Sequence, residues 1–185
     1  MVGRSNVGKS TLINAFVKQK IARTSAAPGK TRLANYYLIQ SLGQFPIPNP
    51  QSLYLVDLPG YGYARGGAES AEEFETLTRQ YFDPSARPNR RLAGVLHVID
   101  GRHPDLDSDA SAHRWLQRRG IPMAIVATKM DKLKQGERSR NLATLESGYD
   151  TLILPTSALE HTGIDEVWKV IREWTRARSP EPGAR

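Results

Sequence analysis

The chain contains no cysteine among its 185 residues, which excludes a disulfide framework and any thiolate-held metal and agrees with a reducing compartment such as the cytoplasm. Its four histidines offer no zinc site either. His97 lies inside an apolar run and reads as a core residue, and His103, His113 and His161 lack ligand spacing. No apolar stretch reaches the roughly 18 residues of a membrane-spanning helix. A charged-then-apolar leader with a small-residue cleavage site is also missing, so neither membrane insertion nor secretion is expected. Acidic residues are in deficit, 19 against 26 basic ones, for a net charge of +7. That balance favours an anionic partner such as RNA, although ordinary solvated charge explains it too. Internal repeats and low-complexity blocks are lacking, apart from the proline-containing patch Phe45 to Pro50 and the tail Ser179 to Arg185, which read as loop or disorder.

What is present suffices for one core. The length and the 39% hydrophobic content suggest a single domain over residues 1–178, followed by a flexible tail at 179–185. Short apolar runs recur at Ser52 to Val56, Leu92 to Ile99, Ala124 to Ala127 and Thr151 to Leu154. Each is followed by a stretch of helical periodicity. Helices are expected near Ser10 to Lys18, Ala71 to Phe82, Ser108 to Arg119, Glu137 to Leu145 and Gly163 to Arg176. In the last, Ile164, Val167, Ile171 and Trp174 share one face. Such alternation predicts an α/β fold, a three-layer, doubly wound and mostly parallel sheet. Arg32 to Gln40 and Ser52 to Asp57 look like two strands joined by the proline-rich loop, giving one antiparallel edge.

Gly3-Arg4-Ser5-Asn6-Val7-Gly8-Lys9-Ser10 fits G-x-x-x-x-G-K-S/T, where glycines let successive backbone N–H groups turn toward phosphate oxygens. Lys9 supplies a point charge to the β and γ oxygens, and Ser10 a hydroxyl to magnesium. The helix expected from Thr11 would face the anion with its N-terminus. Only Met1 and Val2 precede this loop, although doubly wound folds place a central strand there. A first strand cut short is therefore expected, through a shortened chain or a misplaced start. A chain that naturally began here would have a poorly stable fold with a mobile phosphate loop, because a central strand would lack burial on both sides.

Asp57-Leu58-Pro59-Gly60 ends an apolar strand, where the carboxylate can hold a magnesium-bound water and the Gly60 N–H can meet a γ-phosphate. Thr128-Lys129-Met130-Asp131 closes another. Asp131 can accept the two hydrogen bonds that guanine N1 and N2 offer and adenine does not, while the Lys129 stem can lie along a base. Thr156-Ser157-Ala158, before Leu159, would present a backbone N–H to guanine O6. Between the first helix and the hairpin lies Gly29-Lys30-Thr31-Arg32-Leu33. Thr31 is the candidate second protein ligand for magnesium in a segment that orders around a γ-phosphate; a turn or cap residue is the plainer alternative. The four motifs, in this order and each after a strand, point to a P-loop GTPase that binds GTP or GDP with Mg2+. Lys9, Thr31 and Gly60 are its candidate catalytic residues.

The chain resembles the EngB-type (YihA/YsxC) ribosome-biogenesis GTPases of the translation-factor-related class. The likeness runs from Gly3 to about Trp174. It rests on the phosphate loop, on Ala22-Arg23-Thr24-Ser25 leading to Pro28-Gly29-Lys30-Thr31, on Asp57-Leu58-Pro59-Gly60-Tyr61-Gly62-Tyr63-Ala64, on Asp100 with Arg102-His103-Pro104, and on Thr128-Lys129-Met130-Asp131-Lys132-Leu133. The resemblance implies a single GTPase domain that acts on a large-ribosomal-subunit precursor or its rRNA and is linked to normal septation in cell division; a monomer is expected, and the lack of a transit peptide points to a bacterial cytoplasm. DNA and membrane partners are not implied. Two departures stand out: the family's N-terminal segment is absent, and the hairpin loop Ser41 to Gln51 is longer than usual.

Tyr61 stands where many GTPases carry a water-orienting glutamine, so slow intrinsic turnover, accelerated by a partner or a cation, is expected. Asn6 resembles the asparagine that helps hold a K+ ion beside the phosphates in several related GTPases; a loop brace is the alternative. Tyr61 and Tyr63 read as packing residues first and as RNA or protein contacts second. The arginines at 87, 90 and 91, at 114, 118 and 119, and at 172, 176 and 178 could touch RNA phosphates or simply line solvated faces. A guanine-nucleotide-binding module without useful hydrolysis stays open as a second reading; against a third, a metabolic P-loop kinase, stand Asp131, which argues for guanine, and the lack of anything resembling an acceptor-substrate lid.

Overall fold

A computed structural model describes residues 1–22, 33–39, 41–42, 45–46, 53–61, 76, 78–83, 85 and 92–176. In chain order the elements are β1 (Val2–Gly3), α1 (Lys9–Val17), β2 (Asn35–Ile39), β3 (Ser41–Leu42), β4 (Phe45–Pro46), β5 (Leu53–Asp57), β6 (Val95–Asp100), α2 (Asp107–Gln117), β7 (Met123–Thr128), a 3-10 turn (Met130–Lys132), α3 (Gln135–Gly148), β8 (Ile153–Pro155) and α4 (Ile164–Arg176). Residues 78–82 are also helical. The rest of the expected helix Ala71 to Phe82 lies largely outside the described residues.

β6 is buried along its whole length and β7 along nearly all of it. Continuous apolar runs of this kind form where helices cover both faces of a parallel sheet. The strands pair in the order β1-β6-β7-β8, all parallel. Alternation along the strands divides the core. Leu96, Val98, Ala124 and Val126 face α1 and α4, meeting Leu12, Phe16, Val167 and Trp168. On the other side, Val95 packs with Leu116 of α2 and with Phe82, and Ile99, Ile125 and Ala127 pack with Leu145 of α3. The result is an α/β fold in three layers.

α4 shows why its sequence reads as amphipathic. Ile164, Val167 and Ile171 are buried, and partly buried Trp174 packs on the same cluster. Trp168 and Val170 broaden that face beyond the expected stripe. The Trp168 ring lies 5.1 Å from that of Phe16, so α4 braces the helix that follows the phosphate loop.

The expected antiparallel pair is present, but as a two-stranded sheet of its own: β2 pairs with β5, Asn35 opposite Asp57 and Ile39 opposite Leu53. One expectation is corrected. Phe45 and Pro46 are not loop but strand, paired antiparallel with Ser41 and Leu42. Proline is compatible with such a short two-stranded edge, where its missing N–H need not serve a ladder.

β1 is short, as expected, yet it is flanked on both sides. Val2 pairs with His97 and Gly3 with Val98. On the other side, Leu58 N–H donates to the Met1 carbonyl at 3.2 Å. Val2 is buried, and the strand delivers the chain directly into the loop that begins at Gly3. The expected loss of two-sided burial is therefore not what these residues display.

Candidate functional site

The phosphate-loop residues turn between β1 and α1. Gly8, the residue before α1, has φ of +103°, a backbone conformation that side chains with a Cβ rarely adopt. Lys9 is buried, and its Nζ donates to the carbonyls of Gly3 (2.9 Å) and Arg4 (3.0 Å). Burial lowers the Lys9 pKa, and the Asp57 carboxylate pulls it back up. A cation is thus held under the loop, against the N-terminus of α1, where anions are favoured.

β5 brings Asp57 to the same place. Ser10 Oγ donates to Asp57 Oδ2 at 3.1 Å. Asp57 is 1% exposed, and its Oδ1 has no hydrogen-bond partner among the described residues. A buried carboxylate oxygen without a donor is costly unless a cation or its water completes it. The hydroxyl and carboxylate pair therefore fits magnesium, a hard ion that takes oxygen ligands. Gly60 lies tight against the loop: a Cβ there would sit 2.6 Å from Ser5 N and 2.8 Å from Ser5 Cα. Only glycine allows that approach. Leu58 and Pro59 are buried between these two points.

A second group forms at the ends of β7 and β8. The buried Thr128 hydroxyl donates to the carbonyls of Val7 (2.5 Å) and Ile99 (3.1 Å), tying the phosphate loop to two strand ends. Lys129 reaches the other way, its Nζ donating to Asn6 O at 2.6 Å and to Asp100 Oδ2 at 2.8 Å. Burial alone would raise the Asp100 carboxyl, but hydrogen bonds from Arg102 and Lys129 prevail and hold it at about 2. Asp131 Oδ1 accepts from Ser157 Oγ at 2.7 Å, and Lys132 Nζ lies 3.6 Å from Oδ2. Met130 N–H donates to Thr156 O at 3.2 Å, which keeps the β7 and β8 loops side by side. Ala158 follows, half-buried.

The motifs spread along the sequence thus come together at the strand ends that follow β1, β5, β7 and β8. Leu33 is 71% exposed. Gly29, Lys30, Thr31 and Arg32 lie outside the described residues, as do Tyr63 and the arginines at 87, 90, 91 and 178. The Asn6 backbone has φ of +64°, and its main-chain carbonyl accepts from Lys129. Tyr61 is buried, its hydroxyl on His97 and Asp109, and His97 is a core residue at 0% exposure. Asp109 gave no signal in the sequence, where it is one of several carboxylates opening α2.

Comparison with known proteins decides the family. The profile of the 50S ribosome-binding GTPase family matches residues 1–129. Curated relatives described as probable GTP-binding protein EngB match over most of their length and over nearly all of this chain. The Limosilactobacillus reuteri protein is 37% identical over 178 residues, covering 94% of this chain and 84% of the relative. The Thermotoga maritima protein is 41% identical over 175 residues, covering 92% and 82%. The chain belongs to the 50S ribosome-binding GTPase family, among its EngB-type members.

It is therefore a GTPase, and solved structures agree on the fold. A crystal structure of a probable GTP-binding protein EngB superposes with a TM-score of 0.69 at 24% identity, covering 96% of this chain and 97% of that one. Aquifex aeolicus Era, crystallised with GDP and AlF4−, gives 0.76 at 23% identity, covering 98% of this chain and 56% of that one. No helix among the described residues is long and apolar enough to cross a membrane.

Proposed function

We propose that this EngB-type GTPase works as a GTP-driven switch in assembly of the large ribosomal subunit, with residues 1–178 as one cytoplasmic, monomeric unit. The observation that carries the reading is the buried Asp57, hydrogen-bonded to half-buried Ser10 and with one carboxylate oxygen unpartnered among the described residues, set beside Lys9. In this reading Gly3 to Ser10 cradle the phosphates and the Gly60 N–H meets the γ-phosphate. Ser10, Asp57 and Thr31 would hold magnesium, which supplies charge neutralisation to the phosphates. Lys9 contributes fixed positive charge and needs no reorganisation, the form of catalysis that phosphoryl transfer rewards. Asp131 reads the base, held by the Ser157 hydroxyl, with Lys129, Thr156 and Ala158 around it. Tyr61 points into the core, which supports slow intrinsic turnover.

The ribosomal target is supported by the family, whose description is 50S ribosome-binding GTPase, and by the basic balance of the chain. A related fold, Era, has been crystallised with MgGDPNP and a segment of 16S ribosomal RNA. The link to septation rests on the family resemblance. Potassium beside Asn6 is part of the same proposal, and hydrolysis measured in KCl and in NaCl tests it.

Binding of GDP, GTP and ATP to the purified chain tests the base reading, with Asp131→Asn assayed against XTP. Replacing an acceptor by an amide donor removes two charge-assisted hydrogen bonds, so GDP affinity should fall by roughly a hundredfold or more. Xanthine, with a carbonyl where guanine has an amine, should regain it. Equal affinity for ATP and GTP would refute the assignment of Asp131.

A further inference from the structure

Asp109 opens α2 and is fully buried, yet it serves two distant segments. Both of its oxygens accept from Arg4 Nε, at 3.2 and 3.1 Å, so it grips the phosphate loop. Its Oδ1 also accepts from the Tyr61 hydroxyl at 2.7 Å, gripping the segment that begins at Asp57. That phenol has one proton, which it gives to Asp109. The 2.6 Å contact with His97 Nε2 is then donated by the imidazole, fixing the neutral Nε2–H tautomer. Burial, with His113 nearby, lowers the His97 pKa to about 3, so the ring stays neutral. The main chain completes the arrangement. Ser5 N–H donates to Tyr61 O at 3.2 Å, and Arg4 and Tyr61 form a parallel bridge. Gly60, the neighbour of Tyr61, is thereby pressed on Ser5.

We propose that Asp109 and the Tyr61 hydroxyl form a clamp that holds Gly60 against the phosphate loop, making Tyr61 a positioning residue for GTP hydrolysis. The clamp rests on the reading in which the Gly60 N–H meets the γ-phosphate. Its effect is selective for that reason. Loosening Tyr61 disturbs the donor that GTP uses and GDP does not, whereas loosening Asp109 also frees Arg4 and with it the loop common to both nucleotides. A packing role for Tyr61 predicts no such distinction, since the ring alone fills the core.

Tyr61→Phe keeps the ring and removes the hydroxyl. Its single-turnover rate and its affinity for a non-hydrolysable GTP analogue should each fall about tenfold, with GDP affinity within about twofold of the parent. Asp109→Asn should weaken GDP and the analogue alike, by about fivefold or more. Thermal melting of each variant separates folding from function. A Tyr61→Phe protein that melts lower but keeps the parent's rate and GTP-to-GDP affinity ratio would overturn the proposal. Should Tyr61→Phe not fold, Arg4→Gln, cut at the more exposed end of the clamp, must lower the single-turnover rate, and an unchanged rate overturns it equally. A parent protein that binds GDP but gains nothing from the γ-phosphate would instead sink the reading of Gly60, a separate and recognisable result.

Discussion

Thr128→Val tests whether the phosphate loop is held from behind by a single hydroxyl. The residue is 3% exposed, and its Oγ1 donates at 2.5 Å to Val7 O and at 3.1 Å to Ile99 O. Valine keeps the shape and removes the donor. The cost is then a buried carbonyl without its partner, about 1–3 kcal/mol. At the middle of that range the melting temperature should fall by about 4–8 °C, since 1 kcal/mol is worth about 2–4 °C in a chain of this size. In urea, with a slope of about 2 kcal/mol per M, the midpoint should move down by about 1 M while the slope stays constant. Because Val7 belongs to the loop, the stabilisation gained from saturating GDP should also shrink. A midpoint shift under about 0.2 M, or a change confined to the slope, would refute the brace, because either leaves the folded-state hydrogen bond without measurable weight.

Two further outcomes follow from the same geometry. Ser157→Ala frees the Asp131 carboxylate from its 2.7 Å donor; loss of one charge-assisted bond, about 1.5 kcal/mol, should weaken GDP binding roughly tenfold by titration calorimetry. An unaltered affinity would mean that Asp131 is positioned without Ser157. Asp100 gives an acid-side signature. Its folded pKa of about 2 lies below the ordinary value of 3.8, so its contribution is complete above the ordinary value and is lost as pH falls toward 2. Asp100→Asn should therefore flatten the stability profile between about pH 4 and pH 2, read from urea midpoints. A variant with the parent's slope in that window would remove Asp100 from the account.

The motifs were legible because each is carried by contiguous residues. A phosphate loop needs Gly8 at positive φ, with Lys9 and Ser10 opening a helix, and all of that is local. β6 and β7 were equally plain, since burial on both faces leaves a nearly continuous apolar run, broken within the strands by His97 and closed at their ends by Asp100 and Thr128. Phe45 and Pro46 misled because proline suggests a loop, whereas a two-residue edge strand tolerates it. That β1 is short was legible, but what flanks it was not. Its neighbours, β6 and the end of β5, are remote in sequence, and no local pattern announces that they flank it.

The sequence by itself determined the fold class, the order of the nucleotide motifs and the chemistry each residue type can offer, because backbone preference and periodicity act over a few residues. Tertiary structure alone decided how those motifs are held. Thr128 reaches Val7 across 121 positions, Asp109 reaches Arg4 across 105 and Tyr61 across 48. Asp109 differs from its exposed neighbours Asp105 and Asp107 only in where the chain carries it. A buried carboxylate is tolerable only with donors arranged around it, and which donors arrive depends on how the sheet brings distant strand ends together.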